Sequence, residues 1–398
     1  PQLFFYGLYS ILGEVLNSRS EFGPFMWAPV LNNVVSIAGL VAFILIFGAD
    51  PSGERAVGLW EADQISLLAG SATLGVAAQA LILFASWKKI GLSLNLNFKF
   101  RGFGLRPALK AASWSLAMVL VTQIGGLVQT AVASTAVAGR DSGLAVASVA
   151  AAAIAWLIFM LPHSVVTVSI ATAYFTRMSQ HAANNKLDEF VKDLTTGLRV
   201  IALVSVISTV TLMMLAYSIA RVFVGEYPAT LALGNVIVAL MVGLVPFSVV
   251  YMIQRAFFAL EDTKTPFIFT TIQVAIHIIG SLTLGATVEK QWLVVSISIL
   301  TACTIVVQGS VGYLLLRKRI GAMGEGSFAK SLLGFVLAAI PAAAVGYSLM
   351  VWLGGINPGS FTLNSVLTAV VTSALVGAAM VVCYLATLWI FRVPELRE

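Results

Sequence analysis

The sequence predicts an all-α polytopic membrane protein, and three observations support this. Of its 398 residues, 59% are hydrophobic and only 10% are charged, with a mean hydropathy of +0.96. Soluble proteins carry about a quarter of their residues as charges. Apolar runs recur at the length of about 20 residues that crosses a bilayer core of roughly 30 Å. The basic residues gather in alternate loops. A soluble enzyme, a disordered chain and a secreted disulfide scaffold are therefore excluded.

Eleven apolar runs predict the spans, and Pro162 inside the fifth run predicts a kink because proline removes a backbone hydrogen bond. The chain enters the first run at Pro1 with no basic leader, so we expect further spans to precede it. The predicted spans are 1–17, 26–48, 64–87, 108–136, 144–176, 197–224, 229–259, 266–287, 291–316, 329–353 and 364–391.

The loops predict the orientation of the bundle. All but four of the 23 Lys and Arg residues fall on one set of alternate connections. Because cytoplasmic loops carry the excess of basic residues, these connections and the C-terminus are expected in the cytoplasm and Pro1 outside. One of these connections, 177–199, mixes charges with apolar residues at near-helical spacing. It is expected to form either an amphipathic surface helix or a solvated connector.

Several function classes are disfavoured by what the sequence lacks. No GxxxxGK[ST] motif for ATP binding occurs, and no basic stripe with aromatic residues suits a nucleic acid. The three histidines have no ligand spacing, and Cys303 and Cys383 lie in apolar runs. We therefore expect no metal, no cofactor, no nucleic acid and no enzymatic activity. A membrane glycosyltransferase or ligase is the enzymatic alternative, but acidic residues on the predicted outer loops are scattered.

Two predicted cytoplasmic loops share a pattern that indicates an internal repeat. Segments 13–25 and 255–267 both run through small residues and a charged turn into Pro-Phe at the start of a helix. They lie six helices apart, as in transporters with parallel repeats. The string RAFFALEDTKTP (255–266) resembles a cytoplasmic loop of the MurJ/MviN family of lipid II flippases. The segments LNSRSEFGPFMWAPVLNNVV (16–35) and TQIGGLVQTAVAS (122–134) are similar to further parts of that family.

The resemblance implies a fold of two six-helix lobes around a central cavity, plus two C-terminal helices. By it the chain corresponds to helices four to fourteen of a fourteen-helix protein, and its composition resembles actinobacterial members. The implied domains are 1–106 for the rest of the N-terminal lobe, 107–320 for the C-terminal lobe and 321–398 for the extra helices. Leu157 stands where the family has a cavity arginine, and no acidic residue occurs in 111–136 or 291–316 to form the family's sodium site.

The function implied by the resemblance is translocation of lipid II, the undecaprenyl-diphosphate-linked peptidoglycan precursor, across the cytoplasmic membrane by alternating access. The expected partners are that precursor, membrane lipids and cell-wall synthesis proteins. Two alternatives stay open. The chain could export drugs or another lipid-linked oligosaccharide, or it could act as a non-transporting scaffold for cell-wall synthesis.

Polar residues inside spans are costly, so each is a candidate for a site or for interhelical hydrogen bonding. Gln123 and Gln129 match the family's seventh helix and lie about 120° apart on it, and His163 beside Pro162 either contacts a diphosphate or is buried and neutral. The expected cavity residues are Gln123, Gln129, His163, Asn32 and Asn33. The other polar residues inside the predicted spans are Glu14, Gln79, Gln254, Gln273, His277 and Gln308.

The charged turn in the 255–266 loop is a candidate gate. Arg255, Glu261, Asp262 and Lys264 form either a latch that breaks during transport or a turn that fixes topology, with Asp262 and Thr263 as helix caps.

Overall fold

A computed structural model describes residues 1–18, 21–49, 60–87, 105–136, 146–322, 325–391 and 393. Within these ranges the regular structure is helical, and the chain divides into two compact units, Pro1–Phe103 and Gly104–Glu398. The first unit contains α1 (Gln2–Ser18), α2 (Phe22–Phe47), α3 (Ala62–Leu81) and α4 (Leu83–Trp87). The second contains α5 (Leu105–Ser134), α6 (Val149–Pro162), a π-helical turn (His163–Thr167), α7 (Val168–Ala183), α8 (Leu187–Met214), α9 (Ala216–Phe223), α10 (Tyr227–Met241), α11 (Leu244–Ala259), α12 (Lys264–Thr287), α13 (Lys290–Ile320), α14 (Glu325–Trp352), α15 (Phe361–Asn364) and α16 (Val366–Ile390).

The prediction of an all-α polytopic membrane protein is confirmed. In the described ranges, nine helices or continuous helix pairs are long and apolar enough to cross a membrane. Helices α10 and α11 form a tenth span if their pair, bent by 45°, is taken as one. The first predicted span, 1–17, corresponds to the shorter apolar helix Gln2–Leu16. All eleven predicted spans therefore fall on helices, although the first is shorter than the others.

The segment 177–199 is neither a separate surface helix nor a solvated connector, so that prediction is wrong. Helix α7 continues to Ala183, and α8 starts at Leu187. Asn185, at a φ of 55°, helps to reverse the chain, because asparagine tolerates the left-handed region better than most residues. Phe190 and Leu194 are fully buried in a core that includes α11 residues. Tertiary packing therefore extends the helix at its N-terminal end, beyond the predicted span.

The last helices belong to the same compact unit as α5 to α13. Helix α14 packs against α8 and α16, and α16 also packs against α9. The Tyr384 hydroxyl on α16 donates a hydrogen bond of 3.0 Å to the Leu203 carbonyl of α8, at a buried position. The 106/107 and 320/321 boundaries that the resemblance implies stay predictions, since compactness alone does not define a functional lobe.

Two breaks in helical geometry adjoin each other in the second unit. The π-helical turn follows Pro162, and its Thr167 donates a 3.1 Å hydrogen bond to Ser248 near the start of α11. The bend between α10 and α11 lies at Gly243, where an added Cβ would come 3.2 Å from the Ala302 backbone of α13. Glycine thus permits the close approach of α13 to the bend. Trp156, before the π-helical turn, and Leu240 and Phe247, on either side of the bend, border the cavity described next.

Candidate functional site: a neutral cavity within the second unit

The second unit contains a partly open cavity of about 610 Å³ among α5, α6, α10, α11, α12 and α13. Its α12 residues, from Thr270 to His277, come from the middle of a 24-residue span. Among the described residues that line it, none is Asp, Glu, Lys or Arg. The polar lining consists of Gln123, Gln129, Gln254, Gln273, Gln308, His277, Ser298, Thr122, Thr130, Thr270, Thr301 and Tyr251.

Three hydrogen bonds join the helices that surround this cavity. His277 on α12 lies with its Nε2 atom 3.1 Å from Oε1 of Gln129 on α5. The α12–α13 pair is joined twice, because Gln308 Nε2 donates to Thr270 Oγ1 at 3.0 Å and Gln273 Nε2 donates to Thr304 Oγ1 at 3.1 Å. Such bonds between transmembrane helices average about 0.6 kcal/mol each. Gln129 therefore both lines the cavity and stabilises the helix packing.

Two glutamines of the cavity have unengaged amides. Gln123 lies on α5 and Gln254 on α11, and both line the cavity. Across the described residues, no protein hydrogen-bond partner is found for either side chain. A free amide carries two N–H donors and a carbonyl oxygen that accepts. These two residues are consequently available to a bound molecule without loss of an interhelical bond.

His163 does not lie among the cavity-lining residues. Its ring is only 2% exposed and packs 4.5 Å from the Phe247 ring and 5.0 Å from the Tyr251 ring, measured between centroids. Phe247 and Tyr251 both line the cavity, so the histidine lies behind them. This placement favours the buried alternative over contact with a diphosphate.

Asn32 and Asn33 lie on α2 of the first unit. Asn32 lies at the α2–α3 interface, where an added Cβ on Gly75 would meet its side-chain Oδ1 and lie 3.0 Å from its backbone carbonyl oxygen. The Ser36 hydroxyl donates to Asn32 Oδ1 at 3.4 Å. Asn33 is exposed. The surroundings of Asn32 favour a role in packing, and the predicted cavity role of both asparagines stays a prediction.

Arg255 and Lys264 are held against aromatic rings. The guanidinium of Arg255 lies 4.9 Å from the centroid of the Tyr251 ring, and its Nη2 donates to the Tyr251 hydroxyl at 2.5 Å. The Lys264 ammonium lies 5.7 Å from the centroid of the Trp114 ring. Each arrangement is a cation–π contact within the second unit.

Asp262 has the contacts of a helix cap. Its Oδ1 accepts from the backbone N–H groups of Lys264 at 3.1 Å and Thr265 at 2.9 Å. Its Oδ2 accepts from the Thr265 hydroxyl and forms an ion pair of 3.0 Å with Arg319 on α13. Glu261 precedes it at a φ of 58° and is exposed. These contacts favour the capping alternative for Asp262, while the latch stays a prediction.

Sequence reasoning identified Gln254, Gln273, His277 and Gln308 as polar residues inside spans but did not assign them to the cavity. One pattern in the sequence indicated part of this arrangement. Gln273 and His277 are four residues apart, so they share one face of α12. The other two lie on α11 and α13, and only the packed structure brings the polar residues of these three helices around one space.

Comparisons with known proteins agree with this architecture. A family model described as lipid II flippase MurJ matches residues 1–372. The chain is 26% identical over 281 residues to a probable lipid II flippase MurJ of Rhizobium tropici, covering 70% of this chain and 49% of that protein. It is 24% identical over 285 residues to a probable lipid II flippase MurJ of Haemophilus influenzae, covering 67% and 50%. The chain thus spans about half the length of the curated relatives it matches.

Solved structures show the same fold. A lipid II flippase MurJ in an inward closed conformation superposes with a TM-score of 0.62 at 20% identity, covering 95% of this chain and 72% of that one. A MATE protein in complex with MaL6 gives 0.61 at 19% identity, covering 81% and 68%. The helices and the mid-membrane cavity define a polytopic membrane protein with the fold of MurJ and MATE proteins. By the match along most of its length, the chain belongs to the lipid II flippase MurJ family.

Proposed function

We propose that this protein translocates lipid II, the undecaprenyl-diphosphate-linked peptidoglycan precursor, across the cytoplasmic membrane. The observation that carries the proposal is the polar cavity in the middle of an otherwise apolar helix bundle. A large polar headgroup loses its hydration when it enters the membrane, and an amide-lined cavity replaces those hydrogen bonds. The polyprenyl tail needs no such replacement and stays in the lipid.

Alternating access supplies the transport cycle. In transporters built from repeats, rocking of the two halves exposes a central site to each side in turn. The division of this chain into two compact units and its membership of the MurJ family support this mechanism. We propose that 1–106 belongs to one lobe, 107–320 forms the other and 321–398 adds two helices to it.

The chemistry of the cavity does not favour export of cationic drugs. A desolvated cation needs an opposite charge nearby, and no carboxylate is found among the described residues that line this cavity. An uncharged lining with many amides suits a polar headgroup better. Another lipid-linked oligosaccharide is distinguished from lipid II by the transport assay.

The orientation belongs to the proposal as well. The excess of basic residues on one set of loops supports a cytoplasmic C-terminus, and cell-wall synthesis proteins are the proposed neighbours in the membrane. Cysteine substitution tests this orientation. We expect a cysteine at Asn357 to react with an impermeant reagent added outside intact cells, and one at Asn184 to react only after lysis. The reverse pattern would overturn the orientation.

Translocation is tested with the full-length protein in proteoliposomes that contain fluorescent lipid II. We expect reagent-accessible lipid II to appear in the opposite leaflet faster than in protein-free vesicles. The variant Gln254→Leu should slow this movement, because it removes an unengaged cavity amide. Gln180→Leu is the matched control, since Gln180 is exposed on α7 outside the cavity. Movement of another lipid-linked oligosaccharide but not lipid II, or no movement by correctly inserted protein, would refute the proposal.

A further inference from the structure

We infer that the cavity of the second unit binds the uncharged, N-acetylated sugar part of the lipid-linked headgroup and not its diphosphate. This inference rests on the proposed function, and it assigns one part of the substrate to one described cavity. Its basis is the juxtaposition of glutamine amides from four helices and an exposed tryptophan from a fifth, in a wall whose described residues carry no charge.

The cavity offers little to a diphosphate. Anionic phosphate oxygens are bound in proteins by Arg and Lys side chains or by helix N-termini. In the described part of the chain, no basic residue lines the cavity. Helix α6 contributes its first turn, at Val149, and there the Ser148 hydroxyl already accepts from the N–H of Ala151 at 3.2 Å. Arg255 follows the lining residue Gln254, but its guanidinium is engaged with the ring and hydroxyl of Tyr251. A diphosphate placed in this cavity would lose its hydration without gaining a cation.

The unpaired amide groups suit an acetamide and sugar hydroxyls. An acetamide has one N–H donor and one carbonyl acceptor, and each hydroxyl does both. Gln308 and Gln273 use their Nε2 atoms to bind threonines, so their carbonyl oxygens remain as acceptors. Gln129 accepts from His277 through Oε1, so its amide nitrogen remains as a donor. The free amides of Gln123 and Gln254 add both kinds of group.

An aromatic surface lies beside these amides. Trp156 lines the cavity and is 40% exposed. One face of its indole is stacked on Phe159 at 5.2 Å between centroids, with 17° between the planes, which holds the ring in place. The electron-rich face of an aromatic ring attracts the polarised C–H groups on the apolar face of a sugar. A ring for one face of the sugar and amides for its edge together form a site for a neutral amino sugar.

The size of the cavity agrees with this ligand class. Its volume of about 610 Å³ falls within the range of roughly 300–1,000 Å³ that is typical of small-molecule sites.

The test is saturation-transfer NMR on the full-length protein in nanodiscs. The probe is N,N′-diacetylchitobiose, an uncharged disaccharide with two acetamido groups, and cellobiose is the matched disaccharide without them. We expect saturation transfer to the acetyl methyl protons and at least fivefold weaker binding of cellobiose. Millimolar pyrophosphate should leave the signal of the disaccharide unchanged. Loss of one amide in Gln254→Leu should weaken binding roughly fivefold, and Gln180→Leu should bind as the unchanged protein does.

Three results would overturn the inference: no binding of the disaccharide, its displacement by pyrophosphate, or equal binding by Gln254→Leu and the unchanged protein. The pyrophosphate competition needs no variant, so it remains decisive if Gln254→Leu fails to fold. The transport assay separates the two proposals. Lipid II movement without binding of the disaccharide refutes only the sugar site, and binding of the disaccharide without lipid II movement refutes only the proposed transport.

Discussion

Asp262 allows the capping role of the charged turn to be separated from a gating role. Its Oδ1 atom caps α12 through the N–H groups of Lys264 and Thr265, and its Oδ2 atom pairs with Arg319. The substitution Asp262→Asn keeps an oxygen for the two backbone groups but removes the charge. Asp262→Ala removes both. The two variants therefore divide the contribution of this residue into a cap and an ion pair.

The contacts of Asp262 indicate how much the cap and the ion pair each contribute to the free energy of unfolding. The Arg319 side chain is 48% exposed, so the ion pair is partly screened and contributes about 0–1 kcal/mol. Loss of a cap costs about 0.5–2 kcal/mol. We expect Asp262→Asn to lower the free energy of unfolding by up to about 1 kcal/mol, and Asp262→Ala by about 0.5–3 kcal/mol.

The assay is reversible unfolding in SDS followed by circular dichroism, combined with lipid II transport. Asp188→Ala is the matched control, because Asp188 is exposed in the first turn of α8. A double-mutant cycle with Arg319→Gln isolates the ion pair. Equal stability losses in the Asn and Ala variants would refute the capping role. Altered transport in Asp262→Asn at unchanged stability would instead support the latch.

Four further substitutions test three local features of the fold, each by SDS unfolding of the purified protein. Glu261→Gly should raise the free energy of unfolding by about 0.5–1 kcal/mol, because glycine accepts the left-handed conformation without strain; a decrease would contradict this. Gln129→Leu should lower it by about 1–2 kcal/mol, since a buried imidazole loses its partner, whereas Gln254→Leu should change it by less than about 0.5 kcal/mol; equal losses would contradict the assigned roles. Gly75→Val should lower it by about 1–3 kcal/mol, because the added atoms would collide with Asn32 on α2; unchanged stability would show that α2 and α3 are less closely packed.

The polar residues inside the spans show which parts of the candidate site could be predicted from the sequence. Gln123 and Gln129 were selected because they lie in a segment similar to one family, and both line the cavity. Asn32 was selected on the same kind of signal, but it lies at the close contact of α2 with α3. Its partner Gly75 lies in another helix, so no local pattern indicated that contact.

The roles of the glutamines could also be assigned only once the packing of the helices was known. Gln308 and Gln254 are both polar residues within apolar runs, yet one joins two helices and the other has an unengaged amide. The sequence offers no distinction between them. The difference arises because Thr270 lies within 3.0 Å of the Gln308 amide, across 38 positions of the chain.

The sequence alone determined the membrane class, the approximate spans and the family resemblance, because hydropathy and short motifs are local properties of the chain. The tertiary structure decided which residues surround the cavity, how far α8 extends before the predicted span and where the last helices pack. The physical reason lies in the solvent. A helix in lipid is apolar on nearly all of its faces, so its hydrophobic pattern indicates only weakly which face is turned inward. Close contacts and hydrogen bonds between distant segments determine which face of each helix packs inside the bundle.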